Sequence, residues 1–395
     1  MKIKFIFAQT TNLMKNFCIA LLLCAIVTKV NAQEADQRVI STAVPFLLIA
    51  ADARSAGIAD MGVASSADAF SQQWNPAKYA FATSKQGIGV TYTPYLSQLV
   101  NDIFLGNLTY YNRINERSAI GASFRYFSNG DIELRQTALE DGLLVRPNEF
   151  AVDVSYSLRL SDRFSMAVAG RFINSDLKFD NTNDASAGST FAVDIAGYYQ
   201  SEEIAYNSFD GRWRAGFNIS NIGPKLTYSD VGRENNIPTN LSLGGGFDFI
   251  LDEYNKVAVM VEVDKLLVPT PRDFNGDGVI DTEDAQEYED ISFFSGIFES
   301  FGDAPDGFGE ELKEFTWALG AEYWYQDAFA FRAGYFNESE DKGFRKFFSL
   351  GAGFKYTSLA LDVSYLFSTS KSISPLEGTL RFGLTFNFGD EYDEY

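Results

Sequence analysis

Leu380-Arg381-Phe382-Gly383-Leu384-Thr385-Phe386-Asn387-Phe388 is the stretch on which the fold turns. Side chains alternate faces along a strand. As a strand it sets Leu380, Phe382, Leu384, Phe386 and Phe388 on one face, against Arg381, Gly383, Thr385 and Asn387 on the other. A soluble sandwich would bury the apolar face in a core, whereas a transmembrane barrel would turn it to lipid. One strand does not choose between the two, but repetition does. Phe150, Val152, Val154, Tyr156 and Leu158 alternate with Ala151, Asp153, Ser155 and Ser157. The same pattern recurs in Val257–Val263, Phe348–Tyr356 and Leu359–Phe367.

The alternation predicts fourteen strands, at 86–95, 102–113, 117–128, 147–160, 162–174, 189–201, 212–221, 238–250, 255–265, 314–325, 328–337, 346–357, 359–368 and 378–388. Each has the length that a tilted crossing needs, about 9–11 residues. Connections after strands 2, 4, 8, 10 and 12 are short, as at Asn115-Glu116, Ser161-Asp162 and Gln326-Asp327, while that after strand 6 is longer, from Glu202 to Asp210. Those after odd strands are mostly longer, above all 266–313. Short turns on one rim and long loops on the other mark a transmembrane barrel with its short side in the periplasm, which places both termini there. All ten prolines fall before the first strand, at strand ends or in loops, where no ladder donor is lost. In lipid an unpaired backbone group is costly, so the sheet is expected to close.

The N-terminus reads as a signal peptide, the alternative being a short membrane anchor, for which its apolar run is shorter than the roughly 20 residues a spanning helix needs. Lys2, Lys4 and Lys15 precede the apolar run Phe17–Val27, and Val30-Asn31-Ala32 is a small-residue cleavage site. Removing 1–32 takes Cys18 and Cys24 with it and leaves neither disulfide nor thiol chemistry. It also removes four lysines and no acid, leaving 28 basic against 53 acidic residues. So acidic a surface repels nucleic acid. The mature chain then divides into a segment 33–85, a barrel 86–388 and an acidic periplasmic tail 389–395.

Segment 33–85 does not alternate. It is rich in Ala, Gly and Ser and ends in Trp74-Asn75-Pro76-Ala77-Lys78-Tyr79-Ala80-Phe81. Small residues suit a plug in the lumen, which accepts polar groups; the alternative is a periplasmic extension. Asn75-Pro76-Ala77, after a small-residue stretch and before the first strand, resembles the plug signature of FadL-type barrels. With Val44-Pro45-Phe46-Leu47-Leu48-Ile49 and Asp52-Ala53-Arg54-Ser55-Ala56-Gly57, the segment resembles the PorV family of the type IX secretion system. That resemblance covers 38–81 in motif and is compatible in layout through Phe388. It implies a fourteen-stranded outer-membrane barrel with an N-terminal plug. It also implies partners: a large translocon barrel, secreted cargo bearing a C-terminal domain, a cell-surface sortase, and the lipids or lipopolysaccharide around the barrel. A FadL-like channel for hydrophobic compounds is the alternative function.

The longest loop carries Asp273, Asn275, Asp277, Asp281 and Asp284 as oxygen donors at positions 1, 3, 5, 9 and 12, with Gly278 at position 6 and the Val279 carbonyl at 7. This is calcium-loop spacing, departing at position 12, where an EF-hand has Glu. The alternative is an acidic turn without metal. Residues 273–314 hold fourteen acids and one base, Lys313, a repulsion that a bound Ca2+ would offset in part. Phe293, Phe294, Ile297, Phe298 and Phe301 in the same loop need a cover, either the barrel rim or a partner. Lumen charges such as Arg125, Asp153, Arg171, Asp194, Arg214, Glu262, Asp264, Lys355, Asp362 and Arg381 are expected to pair between strands, with an ion pathway as the alternative. The chain has no His, which excludes His-based triads and His metal sites. The family resemblance also brings lipopolysaccharide O-deacylation into view. That would require a Ser-Lys arrangement, to which no spacing points, so a non-enzymatic protein is expected.

Overall fold

The computed structural model describes residues 39–97, 99–135, 142–177, 187–228, 233–369 and 377–392. The signal segment 1–32 and the last three residues of the tail lie outside them. Fourteen antiparallel strands form the wall: β1 Ser84–Pro94, β2 Ile103–Arg113, β3 Ser118–Asn129, β4 Asn148–Ser161, β5 Phe164–Asp176, β6 Gly188–Gln200, β7 Asp210–Ile222, β8 Asn240–Ile250, β9 Asn255–Leu266, β10 Phe315–Tyr325, β11 Phe329–Asn337, β12 Lys346–Tyr356, β13 Leu359–Ser368 and β14 Leu380–Glu391. Each pairs with its sequence neighbours, and β14 pairs with β1 through Phe386↔Ile88 and Phe382↔Tyr92, closing the barrel. Closure leaves no edge of unpaired backbone groups. Among the described residues no helix is long and apolar enough to cross a membrane; the strands do the crossing.

Burial runs opposite to a soluble core. On β14 Leu380, Phe382, Leu384 and Phe386 point outward, each nearly half exposed, while Arg381 and Thr385 are buried. On β4 Val152, Val154 and Tyr156 face out and Asp153, Ser155 and Ser157 face in. The outward apolar faces therefore meet lipid. On the long-loop rim, Phe104, Phe150, Phe172 and Phe191 contribute to a belt of aromatic contacts, including Phe172–Phe191 at 5.1 Å. On the short-turn rim Phe209, Trp213, Phe247 and Phe249 cluster, with Trp213–Phe247 at 4.6 Å. Amphipathic rings at both interfaces are what a membrane barrel requires.

The last strand outruns its apolar alternation. Beyond Phe388 a bulge takes up one extra residue, pairing resumes at Glu391↔Ser84, and Lys85 pairs with Asp390 at 3.0 Å. Residues 389–391, expected in the tail, thus belong to the wall. Two small pieces lay outside the strand reading: a ribbon of Ile132–Leu134 and Leu143–Val145, and Ile204–Ala205, which lines up on β7.

Residues 43–82 fill the lumen in short turns: Pro45–Leu48, Ala53–Ala56, Ser71–Trp74 and Pro76–Phe81. Their apolar side chains complete small cores with the wall. Val44, Phe46 and Leu47 pack with Leu105, Phe127 and Ile173. Ile58 and Met61 pack with Met260 and Phe336. The wall is small where the plug backbone touches it: a Cβ on Gly334 of β11 would lie 2.5 Å from the Ile58 carbonyl carbon and 2.7 Å from Ala59 N. Only glycine permits so close an approach. The small residues on the inner face of the strands are thus the imprint of the plug.

Candidate functional site

Asp52, Trp74 and Asn75 hold the plug's own shape. Asp52 caps Ala53–Ala56 by accepting the Ser55 N–H at 2.8 Å, and its other oxygen accepts Trp74 Nε1–H at 2.6 Å. Asn75 ends one turn and starts the next, its Oδ1 accepting the Ala77 N–H at 3.1 Å ahead of Pro76 at the first helical position. Its Nδ2 donates to the Val63 carbonyl of the plug and the Gly197 carbonyl of β6, both at 2.9 Å. The Trp74 carbonyl accepts from Asn218, and the Ala77 carbonyl from the Ser165 hydroxyl at 2.8 Å. The Trp74-Asn75-Pro76-Ala77 motif is therefore a fastening between plug and wall.

Charges complete the seal. Arg54 reaches Glu322 through Nε at 3.0 Å and Nη2 at 2.8 Å, and also holds Asp68 and Ser66. Arg332 pairs with the same Glu322 and, at 2.7 Å, with Asp362. A second chain of charges, Arg125–Asp153–Arg171–Asp194, runs across β3 to β6. These are inter-strand pairs as the sequence suggested, and Arg214 pairs with Asp248 across β7 and β8, but four expected partners go elsewhere. Glu262 accepts the Gly62 and Val63 N–H groups of the plug at 2.9 Å, Arg381 reaches Asp60 at 3.1 Å, Asp264 accepts the Ser242 hydroxyl, and Lys355 is exposed. Plug backbone and plug carboxylates are in reach of the first two, so they serve the seal instead of the wall.

Lys78 Nζ donates to Ser65 Oγ at 2.9 Å and to the Gly62 carbonyl at 2.7 Å, a Ser-Lys contact that no sequence spacing announced. Ser65 in turn donates to the Gly62 carbonyl. Both side chains are buried, and neither lines either lumen cavity. The contact buckles the plug. One cavity, about 140 Å3, opens toward the long-loop rim and is lined by Asp60, Asn240, Asp264, Glu338 and Arg345 among others. The other, about 300 Å3, lies toward the short-turn rim beside Arg54, Asp248, Glu322 and Arg332. They share no lining residue.

The long loop is an ordered cap over the rim. Helices Thr282–Asp290, Phe293–Glu299 and Phe308–Glu311 fold within it. The Tyr288 hydroxyl donates to the Pro269 carbonyl at 2.9 Å, and Lys225 to the Glu289 carbonyl at 2.6 Å. Burial pushes the Tyr288 phenol up to about 12. At the loop's base Lys265, near the end of β9, pairs with Glu311 and Glu314, and Lys342 with Glu310 and Glu314.

Of the five apolar loop residues singled out, Phe293 and Ile297 are half-buried, whereas Phe294, Phe298 and Phe301 are exposed, Phe294 and Phe298 edge to face at 5.4 Å. Phe308, which sequence reasoning passed over, is 76% exposed. In the acidic turn, Asp273 accepts the Gly276 and Gly278 N–H groups, Asn275 that of Asp277, and Asp277 that of Val279. Gly278 stands at φ +89, as position 6 of such a loop requires. Asp281 and Asp284 form a capping box on Thr282–Asp290, and Asp284 also accepts the Phe274 N–H at 2.7 Å.

Several solved structures resemble this chain in fold. The monoaromatic hydrocarbon channel CymD is 14% identical with a TM-score of 0.50, over 88% of this chain and 99% of that one. The Pseudomonas putida toluene transporter TodX is 11% identical at a TM-score of 0.49, over 89% and 98%. The Ralstonia pickettii toluene transporter TbuX is 10% identical at 0.47, over 87% and 100%. At such identity CymD supports the FadL-type fold alone. No curated protein matches the chain in sequence. The family model described as type IX secretion system protein PorV matches residues 32–273, more than half of the chain and including the whole plug. The chain therefore belongs to the PorV family, as an outer-membrane β-barrel component of type IX secretion.

Proposed function

We propose that this barrel is a non-enzymatic handler of secreted cargo. In this reading it associates with the large translocon barrel, receives cargo through its C-terminal domain and passes it to the cell-surface sortase of an attachment complex. The long-loop rim faces the cell exterior, both termini lie in the periplasm, and residues 1–32 are a cleaved signal peptide. The observation that carries this reading is the lumen: the plug is fastened to the wall at Asn75, Arg54, Glu262 and Arg381, and the two cavities beside it share no lining residue. The work of such a barrel then falls to its surface, and the exposed Phe294 and Phe298 offer an apolar one. In the same reading the turn of Asp273, Asn275, Asp277, Val279, Asp281 and Asp284 takes up Ca2+ and orders the loop.

The test is a deletion strain complemented with the wild-type chain or with Phe293, Phe294 and Phe298 replaced by Ser. Deletion should leave cargo in the periplasm. The triple variant should assemble as a barrel yet fail to co-purify with the translocon. Cargo that reaches the surface in the deletion strain, together with single-channel conductance of the purified wild-type barrel, would favour a solute channel instead.

A further inference from the structure

We propose that the base of the long loop holds a divalent cation of the calcium class at Asp303, Glu311 and Glu314, separate from the Asp273–Asp284 turn. Each of the three acids places a carboxylate oxygen within 4.8 Å of the others. Among the described residues no other set of three acidic groups does so, the Asp273–Asp284 turn included.

Crowded acids alone do not make a site; the unmet oxygens do. Asp303 and Glu311 are each 6% exposed, and Asp303 Oδ1 and Glu311 Oε2 accept no hydrogen bond. Glu314 is engaged, taking Lys265 at 2.6 Å on one oxygen and Thr270 and Lys342 on the other. Asp303 uses its second oxygen on the Thr270 N–H at 2.8 Å, and Glu311 its Oε1 on Lys265 at 2.7 Å. One oxygen on each of two buried carboxylates of the cluster is therefore left without a partner. A buried carboxylate oxygen without a partner is costly.

Charge points the same way. The acids Asp303, Glu310, Glu311 and Glu314 outnumber the bases that pair with them, Lys265 and Lys342. Arg272, whose guanidinium lies over the Phe274 ring, also acts on Asp303 through its charge. The acids remain in excess with Arg272 counted, and a divalent ion would offset that excess. Carboxylate oxygens with no nitrogen or sulfur donor select a hard cation, and Ca2+ takes 6–8 oxygens in flexible geometry, so water and carbonyl oxygens would complete the shell. The site joins Thr270, just beyond β9, to the chain entering β10. A cation there would fasten the base of the loop that presents Phe294 and Phe298.

The full chain in detergent, stripped with EGTA and reloaded with Ca2+ alone, tests this by bound Ca2+ per chain after desalting. An Asp273→Asn, Asp277→Asn background disables the turn. In that background one Ca2+ per chain is expected, and adding Asp303→Asn should lower its affinity about tenfold or more. Asp303→Asn keeps the acceptor for Thr270 N–H, and heat-modifiable migration on gels reports whether the barrel is intact. Should the triple variant fail to assemble, Asp303→Asn in the otherwise wild-type chain should lose one of the bound ions. Zero Ca2+ in the background chain, or a count and affinity untouched by Asp303→Asn, would overturn the site and leave proton sharing between Asp303 and Glu311 as the explanation.

Discussion

Replacing Arg54 by Met should free the plug while the barrel stands. Arg54 makes five hydrogen bonds from one guanidinium: two to Glu322 on β10, two to Ser66, and one to Asp68 at 2.8 Å. Met keeps much of the stem's volume and removes every donor. Taking one member from a buried ion pair costs about 3–5 kcal/mol, because the other charge is left unpaired. Two features put this case at the low end. Glu322 keeps Arg332, and the cavity of about 300 Å3 beside both groups gives water a place to stand. A loss of about 3 kcal/mol in plug docking raises the undocked population about 100-fold. Hydrogen exchange in detergent reads that population directly when opening is local. Peptides spanning 45–82, which carry the Gly62 and Val63 amides held by Glu262, should exchange about 100-fold faster, with strand peptides unchanged. Equal plug exchange in variant and wild type would refute the assignment of Arg54 as a fastening of the plug. Loss of heat-resistant migration together with plug protection would refute the separation of plug from wall.

Gly334→Val puts a side chain where 2.5 Å separates the new Cβ from the Ile58 carbonyl carbon, and should destabilise plug docking by about 1–3 kcal/mol, read as trypsin cleavage within 43–82 of an intact barrel. Tyr288 gives a pH prediction. Burial raises its phenol to about 12, so its contribution is fully present below the unfolded value near 10 and is lost as pH rises through 12; loop protection should fall across that window, and Tyr288→Phe should abolish the effect while weakening the loop by about 1 kcal/mol. Asn75→Ala removes the Nδ2 donor shared by Val63 and Gly197 together with the cap on Ala77, and should raise exchange in 62–82 more than in 43–57. EGTA treatment of the wild-type chain should increase proteolysis within 266–313, and added Ca2+ should reverse it; indifference to EGTA would count against calcium in that loop.

The wall was legible because its two faces meet two uniform surroundings. Lipid asks every outward residue for the same apolar character, so Leu380 to Phe388 and Phe150 to Leu158 declare themselves by alternation alone. The inward face answers to a plug whose path no period describes. Glu262 and Arg381 thus looked like partners for neighbouring strands, when their partners are the Gly62 and Val63 amides and Asp60. Short motifs have the same ambiguity. Asp281 and Asp284 fit calcium-loop spacing, yet an acid three residues after an Asp also makes a capping box, and the structure uses them so. Asp303, Glu311 and Glu314 fit no linear motif, because their convergence depends on the turn through Gly307 and on Lys265 from another strand.

The lumen also weighs on the choice between transport and secretion. A channel running the length of the lumen would have to undock the plug, and undocking would strip Glu262 of two N–H donors, Arg381 of Asp60 and Glu322 of Arg54. Water entering the widened lumen would rehydrate those charges, so such an opened state would be an aqueous pore lined by Asp153, Arg171, Glu262 and Glu322, all buried while the plug is docked. Such a lining suits ions better than an apolar solute, whose pocket is expected to be mostly hydrophobic. The outward faces differ, because Phe294, Phe298 and Phe308 stay uncovered on the long-loop rim while the plug remains docked. A protein surface that is apolar and fixed at its base by the Lys265 and Lys342 ion pairs is suited to holding another protein. If that is its use, variants that free the plug and variants that erase the phenylalanines should separate cleanly: the first should gain conductance and keep the translocon, and the second should lose the translocon and stay closed.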